Sequence, residues 1–556
     1  MRSVMRITDY IDIWVVAFEA TNAIGETPKP AAYWAKELRS GQIINLNGRR
    51  LWRTRRCPIP CRDDVLVVAY DGVPSLHCFH DLSWPIPKNL IDLHVESRLI
   101  TNGIVHPDNL SIALMLSAGG GMQSDSNGMP GLGYLADLEK LFQWYERRVP
   151  DLERALYRAT FLSAAAEIER VGIPVDVALH RRLQVGLSEV LRDIVEEVDR
   201  DYGIYRNGKL DPELFRRYLI WEGLPMPVDG HGQILTDFDT IKSLSRSFPS
   251  LKRIKQLEWL LNQMKLHRLA VGPDGRNRTP IRPYRSRSGR NQPRSAESIM
   301  GWSGFMRRLI RPEAGRALAY IDFRSEEIGI AAALSQDANL IAAYESGDVY
   351  SAFAAQCGIT PEAAEKITWA DIRERYKVAL LGIGYGMGAP TLARRLEIPL
   401  PNAREILAKH RTIYRGYWEW SESAVDFAAY HAILTTRQGW SLHISPEMST
   451  EAIRNFPLQA HGAEIIRLAS AIAQHRDITV CMPVHDALLI EADTGDIERA
   501  ARECQRAMGD ASEIILGGFR LRTEVKTICR HPDSYAPDTG AEMWARIMRM
   551  IGGRAS

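Results

Sequence analysis

The sequence predicts an α/β protein of several domains. Three observations carry that expectation. Short apolar runs of strand length recur, at Trp14 to Phe18, at Val65 to Tyr70 and on both sides of His485-Asp486. From Asp151 onward the pattern turns helical. At 556 residues the chain is also longer than one core fills, which predicts three or four structural units.

Up to Pro150 the elements are mixed. Trp14 to Phe18 reads as a buried strand, Val65 to Tyr70 as a second, and Leu90 to Glu96 as a third segment ending in acids. A Gly-rich stretch from Gly119-Gly120-Gly121 to Gly133 reads as a flexible connection. Ala159 to Ile173 is helical and enters the turn Gly172-Ile173-Pro174-Val175-Asp176. Leu251 to Leu269 sets Leu257, Leu260, Leu261 and Met264 at helical spacing, with Lys252, Arg253, Lys255 and Lys265 among them. The run that follows holds Arg276, Arg278, Arg282, Arg285, Arg287, Arg290 and Arg294 with no acid between them. Charge runs are usually solvated. Because the net charge is only +2, however, any grip on nucleic acid must come from such a local patch.

Ala319 to Phe323 alternates like a strand and delivers Asp322 at its end, and an Ala-rich helix begins at Glu326. Arg373, Lys377 and Leu381 fall four apart on one helical face, with Tyr385 one turn further. Cys481 to Ile490 reads as a hairpin with His485-Asp486 at its turn. Asp496 to Met508, then Gly518 to Val525, reads as helix then strand. A single Asp at a strand end is ordinarily a cap or turn residue. Two acids on separate strands, with a cationic helix between them in sequence, instead describe phosphoryl transfer at a two-metal site.

These three segments resemble motifs A, B and C of the family A DNA polymerases, the group containing bacterial DNA polymerase I, in order and in internal spacing. The similarity runs from about Ala164 to the C-terminus. It implies a ribonuclease H-like N-terminal domain followed by a right-hand polymerase fold. The implied segments are 1–150 (exonuclease-like), 151–300 (thumb and palm entry), 301–345 (palm), 346–430 (fingers) and 431–556 (palm and C-terminal part). The implied activity is DNA-directed DNA synthesis, adding dNTPs to a primer 3′-hydroxyl.

The resemblance also implies roles. Asp322 and Asp486 would hold two Mg²⁺, with Mn²⁺ the alternative ion. Arg373 and Lys377 would bind the β- and γ-phosphates, with Lys377 a proton donor to pyrophosphate. Glu327 would exclude a 2′-hydroxyl, Tyr350 stands where DNA polymerase I has a phosphate-contacting histidine, and Tyr385 would stack near the templating base. Leu381 occupies the place of a Phe or Tyr near the sugar in many relatives. Arg290, Asn455, Gln459 and His485 would contact DNA, Arg290 in the minor groove and His485 at the primer end. Ala487 departs from the acid many relatives place after Asp486, which predicts tuned rather than lost chemistry.

In the N-terminal segment the resemblance is to architecture more than to chemistry. A proofreading exonuclease needs Asp-x-Glu on its opening strand, and the corresponding triplet is Ala17-Phe18-Glu19. Ser75 stands where a second acid belongs, and Leu135 to Val149 holds no Tyr-x-x-x-Asp. A degenerate exonuclease is therefore expected, with an active rearranged site built from Glu19, Asp71 and Asp92 as the minority reading.

Seven scattered cysteines give no disulfide framework. Cys57 and Cys61, with His77, Cys78 and His80, lack a second tight pair to complete a zinc set. No signal peptide or membrane span is read, so a cytoplasmic enzyme of bacterial or phage origin is expected, acting as a monomer on primer–template DNA and dNTPs, with replisome or processivity partners left open. The rival readings are a catalytically weak primer–template-binding protein and a residual 3′–5′ exonuclease.

Overall fold

The structure is a computed structural model that describes residues 6–104, 132–148, 151–264, 269–294, 297–301, 306–359, 368–535 and 540–552. Gly119 to Gly121 and Lys265 lie outside these residues. The chain forms two compact units. One comprises residues 1–172, 280–292 and 317–528, and the other 173–279, 293–316 and 529–556. Both are coarser than the five segments expected from sequence.

The first unit begins with a mixed sheet, ordered β3-β2-β1-β4-β5, of β1 (Asp12–Thr21), β2 (Lys29–Glu37), β3 (Ile43–Asn47), β4 (Val65–Ala69) and β5 (Leu90–Asp92). β2 runs antiparallel to β1 and β3, while β4 runs parallel to β1 and β5. Every residue of β4 is buried, as a central strand covered on both faces requires. Helices α1 (Gly48–Arg53), α2 (Gly72–Asp81), α3 (Leu93–Thr101), α4 (Leu132–Glu146) and α5 (Leu152–Val171) accompany it. Ile13, Val15, Ala17, Leu66 and Val68 share a core with Leu135, Leu138 and Phe142 of α4. On the other face Phe18 meets Phe79 of α2 edge-on, with 5.5 Å between centroids. The alternation of β1 thus serves two cores.

The same unit holds a four-stranded sheet. β6 (Arg316–Phe323) leads to α6 (Glu326–Ser335), and α7 (Val349–Gln356) and α8 (Trp369–Gly384) follow. A short hairpin, β7 (Ile433–Thr435) and β8 (Ser441–His443), precedes α9 (Thr450–His475). β9 (Thr479–Val484) and β10 (Ala487–Asp493) form the expected hairpin, and α10 (Ile497–Leu516) and β11 (Thr523–Arg530) close the sheet in the order β9-β10-β6-β11.

In the second unit the helix Lys252–Gln263 buries Leu257 and Leu260 of the expected face, with Met264 buried just beyond it, but Leu261 is only half-buried and Ile254 joins the buried side instead. The arginine run does not form one exposed stripe. Its outer members in this unit are ion-paired: Arg276 with Glu313 at 2.6 Å, Arg278 with Asp274 at 2.6 Å and Arg294 with Glu297 at 3.0 Å. Sequence shows no acid within the run, but the fold supplies acids from outside it.

Candidate active site

β6 ends at Phe323 and so presents Asp322, while the two-residue turn between β9 and β10 presents His485 and Asp486. His485 takes φ 55°, the left-handed geometry such turns favour. Phe323 donates its backbone N–H to the Asp486 carbonyl at 3.3 Å, tying the two carriers together. The Asp322 and Asp486 carboxyls thus lie close enough for the charge on Asp486 to act on Asp322. Burial, then the neighbouring Asp486 charge, pushes the Asp322 pKa up to about 7, and burial raises Asp486 as well. Asp322 Oδ1 is buried without a protein partner.

Both acids line a solvent-open cleft of about 1590 Å³, faced by Arg373, Lys377, Leu381 and Tyr385 of the α8 region. Thr368 caps that helix, accepting from the Asp371 N–H at 3.2 Å. Arg373 donates from Nε to Asp348 Oδ2 at 2.8 Å, and its guanidinium carbon lies 5.2 Å from the Tyr350 ring centroid. Ser325 donates to the Tyr350 hydroxyl at 3.2 Å. Lys377 lies 3.5 Å from Glu374.

Glu327 is the hub of the opposite wall. Its Oε1 accepts from the Tyr385 hydroxyl at 2.6 Å and from Gln459 Nε2 at 2.5 Å, with Arg290 Nη2 3.5 Å away. Asn455 lines an adjoining cavity with Leu381 and Tyr385. The cleft and its rim therefore gather all the residues the sequence assigned to metal, nucleotide and DNA.

Three further cleft residues escaped the sequence reading. Glu326 is buried, with one oxygen unpartnered, and burial, then the Asp486 charge, raises its pKa far above the usual range. Gly462 makes room for it, since a Cβ there would sit 3.0 Å from Glu326 Oε2. On β11, Glu524 pairs with Arg324 at 2.9 Å and with Lys526, whose Nζ lies 3.7 Å from Asp322 Oδ2. The Glu326-Glu327 doublet at a strand–helix junction was the one sequence signal available.

Arg290 is held by an unusual frame. Arg98 of α3 donates to the carbonyls of Tyr284, at 2.8 Å, and Arg285. Asn102 donates to Arg287 O and Ser441 O, both at 2.7 Å, and Trp440 Nε1 also donates to Arg287 O at 2.9 Å. Arg467 donates to Gly289 O at 2.5 Å and stacks 4.1 Å from the Tyr284 centroid. Gly289 has φ 75°, and a Cβ there would lie 3.0 Å from the Trp440 ring. A buried bidentate pair, Arg158 with Glu96, anchors α3 to α5 at 2.6 and 2.5 Å.

The N-terminal positions behave differently. Ala17 is buried on β1, Glu19 is half-buried two residues on, and Ser75 is buried in α2. Asp92 caps α3. Its carboxylate accepts from the N–H groups of Asp71, Gly72, His94 and Val95, yet burial, then the Asp71 charge, pushes its pKa up to about 7. Burial, then Tyr70, Asp71 and Asp92, raises the Tyr134 pKa, and Asp137, three residues along α4, has a buried unpartnered oxygen. That Tyr-x-x-Asp begins one residue before the expected Leu135 to Val149 stretch and is one residue shorter than the expected motif. Cys57 and Cys61 have their sulfurs 3.8 Å apart. Among the described residues no group of three or more His, Cys, Asp or Glu is placed to hold a metal, and no helix is long and apolar enough to cross a membrane.

Comparison with known proteins agrees with this geometry. The polymerase domain of Pol1 from M. smegmatis, solved with DNA primer-template and dNTP, superposes with a TM-score of 0.75 at 20% identity, covering 94% of this chain and 96% of that one. The fold is therefore that of a right-hand polymerase domain. The thermostable DNA polymerase I of Thermus caldophilus is 26% identical over 406 residues, 67% of this chain and 46% of that protein. DNA polymerase I of Chloroflexus aurantiacus is 25% identical over 413 residues, 68% of this chain and 43% of that protein. The alignments thus span less than half the length of these relatives. The family model for DNA polymerase family A matches residues 296–529, the stretch that carries Asp322, Arg373, Lys377 and Asp486.

Proposed function

We propose that this chain is a DNA-directed DNA polymerase that extends a primer 3′-hydroxyl with dNTPs. The observation that carries this is the Asp322–Asp486 pair, brought together by the Phe323 N–H to Asp486 carbonyl bond, in the same cleft as Arg373 and Lys377.

DNA polymerases of this family use divalent metal ions. The residues fit such ions, because two hard carboxylates line one cleft and one Asp322 oxygen has no protein partner. Two carboxylates leave the shell incomplete, which favours Mg²⁺ completed by substrate phosphates and water. When bound, the ions acidify the 3′-hydroxyl and offset charge on the phosphates.

The chain's own residues do the rest. Arg373 exchanges Asp348 for a triphosphate oxygen, and Lys377 binds beside it and protonates the departing pyrophosphate. Glu327, fixed by Tyr385 and Gln459, fills the space beneath the sugar and so selects deoxynucleotides. Arg290 and His485 hold the primer end, with Arg290 set by the carbonyl frame around residues 284–289. Asn455 and Gln459 contribute from α9. The segments 1–150, 151–300, 301–345, 346–430 and 431–556 would then serve as exonuclease-like domain, thumb and palm entry, palm, fingers, and palm with C-terminal part. Proofreading is absent in this reading. Ala17 and Ser75 carry no acid at two expected ligand positions, and Asp92 is occupied as a helix cap. The enzyme acts as a monomer in the cytoplasm.

The test is extension of a labelled primer–template with dNTPs and Mg²⁺, with shorter and longer products resolved together. Longer products that vanish in Asp322→Ala support the reading. Duplex binding without extension in the wild type would favour a binding protein. Metal-dependent shortening that Glu19→Ala abolishes would restore the exonuclease.

A further inference from the structure

The fold exposes a second arginine-rich surface, unlike the 276–294 run and outside the cleft. Residues Gly48-Arg49-Arg50-Leu51-Trp52-Arg53-Thr54-Arg55-Arg56 carry five arginines, all exposed, and no acid occurs between Leu38 and Arg62. None of the five forms an ion pair with a described acid, whereas Arg276, Arg278 and Arg294 of the other run do. Trp52 stands among them with 52% of its surface exposed. An exposed indole among cations offers a ring on which an unpaired base can stack.

The backbone beneath is fixed. Leu51 points inward and is fully buried, Thr54 returns its hydroxyl to Arg50 O at 2.8 Å, and Trp84 Nε1 donates to Thr54 O at 2.8 Å. Arg49, Arg50, Trp52 and Arg53 are therefore carried on a helix anchored to the fold, with Arg55 and Arg56 following it. We propose that this surface binds single-stranded nucleic acid, the arginines taking successive phosphates and Trp52 stacking on an unpaired base. A duplex offers no free base face to Trp52. A membrane surface is a poorer occupant, because α1 turns its one other large apolar residue, Leu51, into the core and offers no apolar face to insert. The proposal goes beyond the polymerase reading and does not need the cleft to be catalytic.

The test uses the full chain with its cleft saturated by unlabelled primer–template, and a fluorescein-labelled oligothymidylate as probe, followed by anisotropy across a salt series. Each phosphate neutralised on a single strand contributes about 0.7 to the slope of log affinity against log salt, so changing all five arginines to Gln should flatten that slope by about 3.5. Trp52→Ala should weaken binding about tenfold, and Trp52→Phe should recover most of that loss. Extension of saturating primer–template should be unchanged in these variants, and unchanged melting would exclude misfolding. No probe binding by the wild type with the cleft filled, or a wild-type slope in the five-arginine variant, overturns the proposal. So does tighter, arginine-dependent binding to phosphatidylglycerol vesicles than to the oligonucleotide, which would assign the surface to lipid.

Discussion

Two groups of carboxylates in one chain have opposite fates. Asp322 and Asp486 arrive from different strands and meet with little else to satisfy them, leaving one buried oxygen free. Asp71 and Asp92 also lie close, but Asp92 spends both oxygens on four backbone N–H groups. The difference is one of unspent acceptor capacity. A carboxylate can serve a substrate or a metal only to the extent that the fold has not already used its lone pairs.

That contrast can be broken by experiment. Asp486→Ala should lower extension about a thousandfold or more while primer–template anisotropy barely moves; equal loss of both would make the acid structural. Lys377→Ala should cost about a hundredfold in kcat, and a loss confined to the dNTP KM would deny it a proton-transfer role.

Asp92→Ala should leave extension intact at 25 °C but cost about 1 kcal/mol in stability through the lost cap. Its pKa of about 7 when folded lies above the unfolded value, so the stability it contributes is greatest at low pH and falls as pH rises from about 4 to about 7. Asp92→Asn, which keeps a capping oxygen, should flatten that part of the melting-temperature profile. An unaltered profile would place the titration elsewhere. The smallest effect belongs to Asp348→Ala. Freeing Arg373 from a half-exposed pair worth about 0.2–1 kcal/mol should lower the dNTP KM less than about fivefold; an increase would show that Asp348 aims the arginine.

The cleft was legible in the sequence because its parts announce themselves locally. Asp322 closes an alternating strand, His485-Asp486 sits between two apolar runs, and Arg373 and Lys377 repeat every four residues. Glu326 was not legible. An acid in the first turn of a helix ordinarily faces water, and only the packing of α6 against α9 at Gly462 buries it. Glu524 and Lys526 were not legible because Gly518 to Val525 reads only as a strand, and it is the pairing of β11 beside β6 that brings Lys526 to Asp322. The arginine run illustrates the same limit from the other side. Counting residues between Arg276 and Arg294 cannot reveal that Glu313 or Asp274 will fold back onto it. Nor can the shorter run at 49–56 show, from sequence, that no described acid does the same there.

The carbonyl frame around residues 284–289 bears on where this chain can be shortened. A cut near residue 150 follows the composition and divides the N-terminal segment from the half that carries the cleft. It would also remove Arg98 and Asn102, leaving the carbonyls of Tyr284 and Arg285 without those donors and Arg287 with Trp440 alone on its side. The truncated protein would then carry Arg290 on a slackened tether, and under the proposed function errors at the growing end would register the loss before bulk synthesis did. Anyone trimming the chain would better cut inside the first sheet's periphery and spare α3.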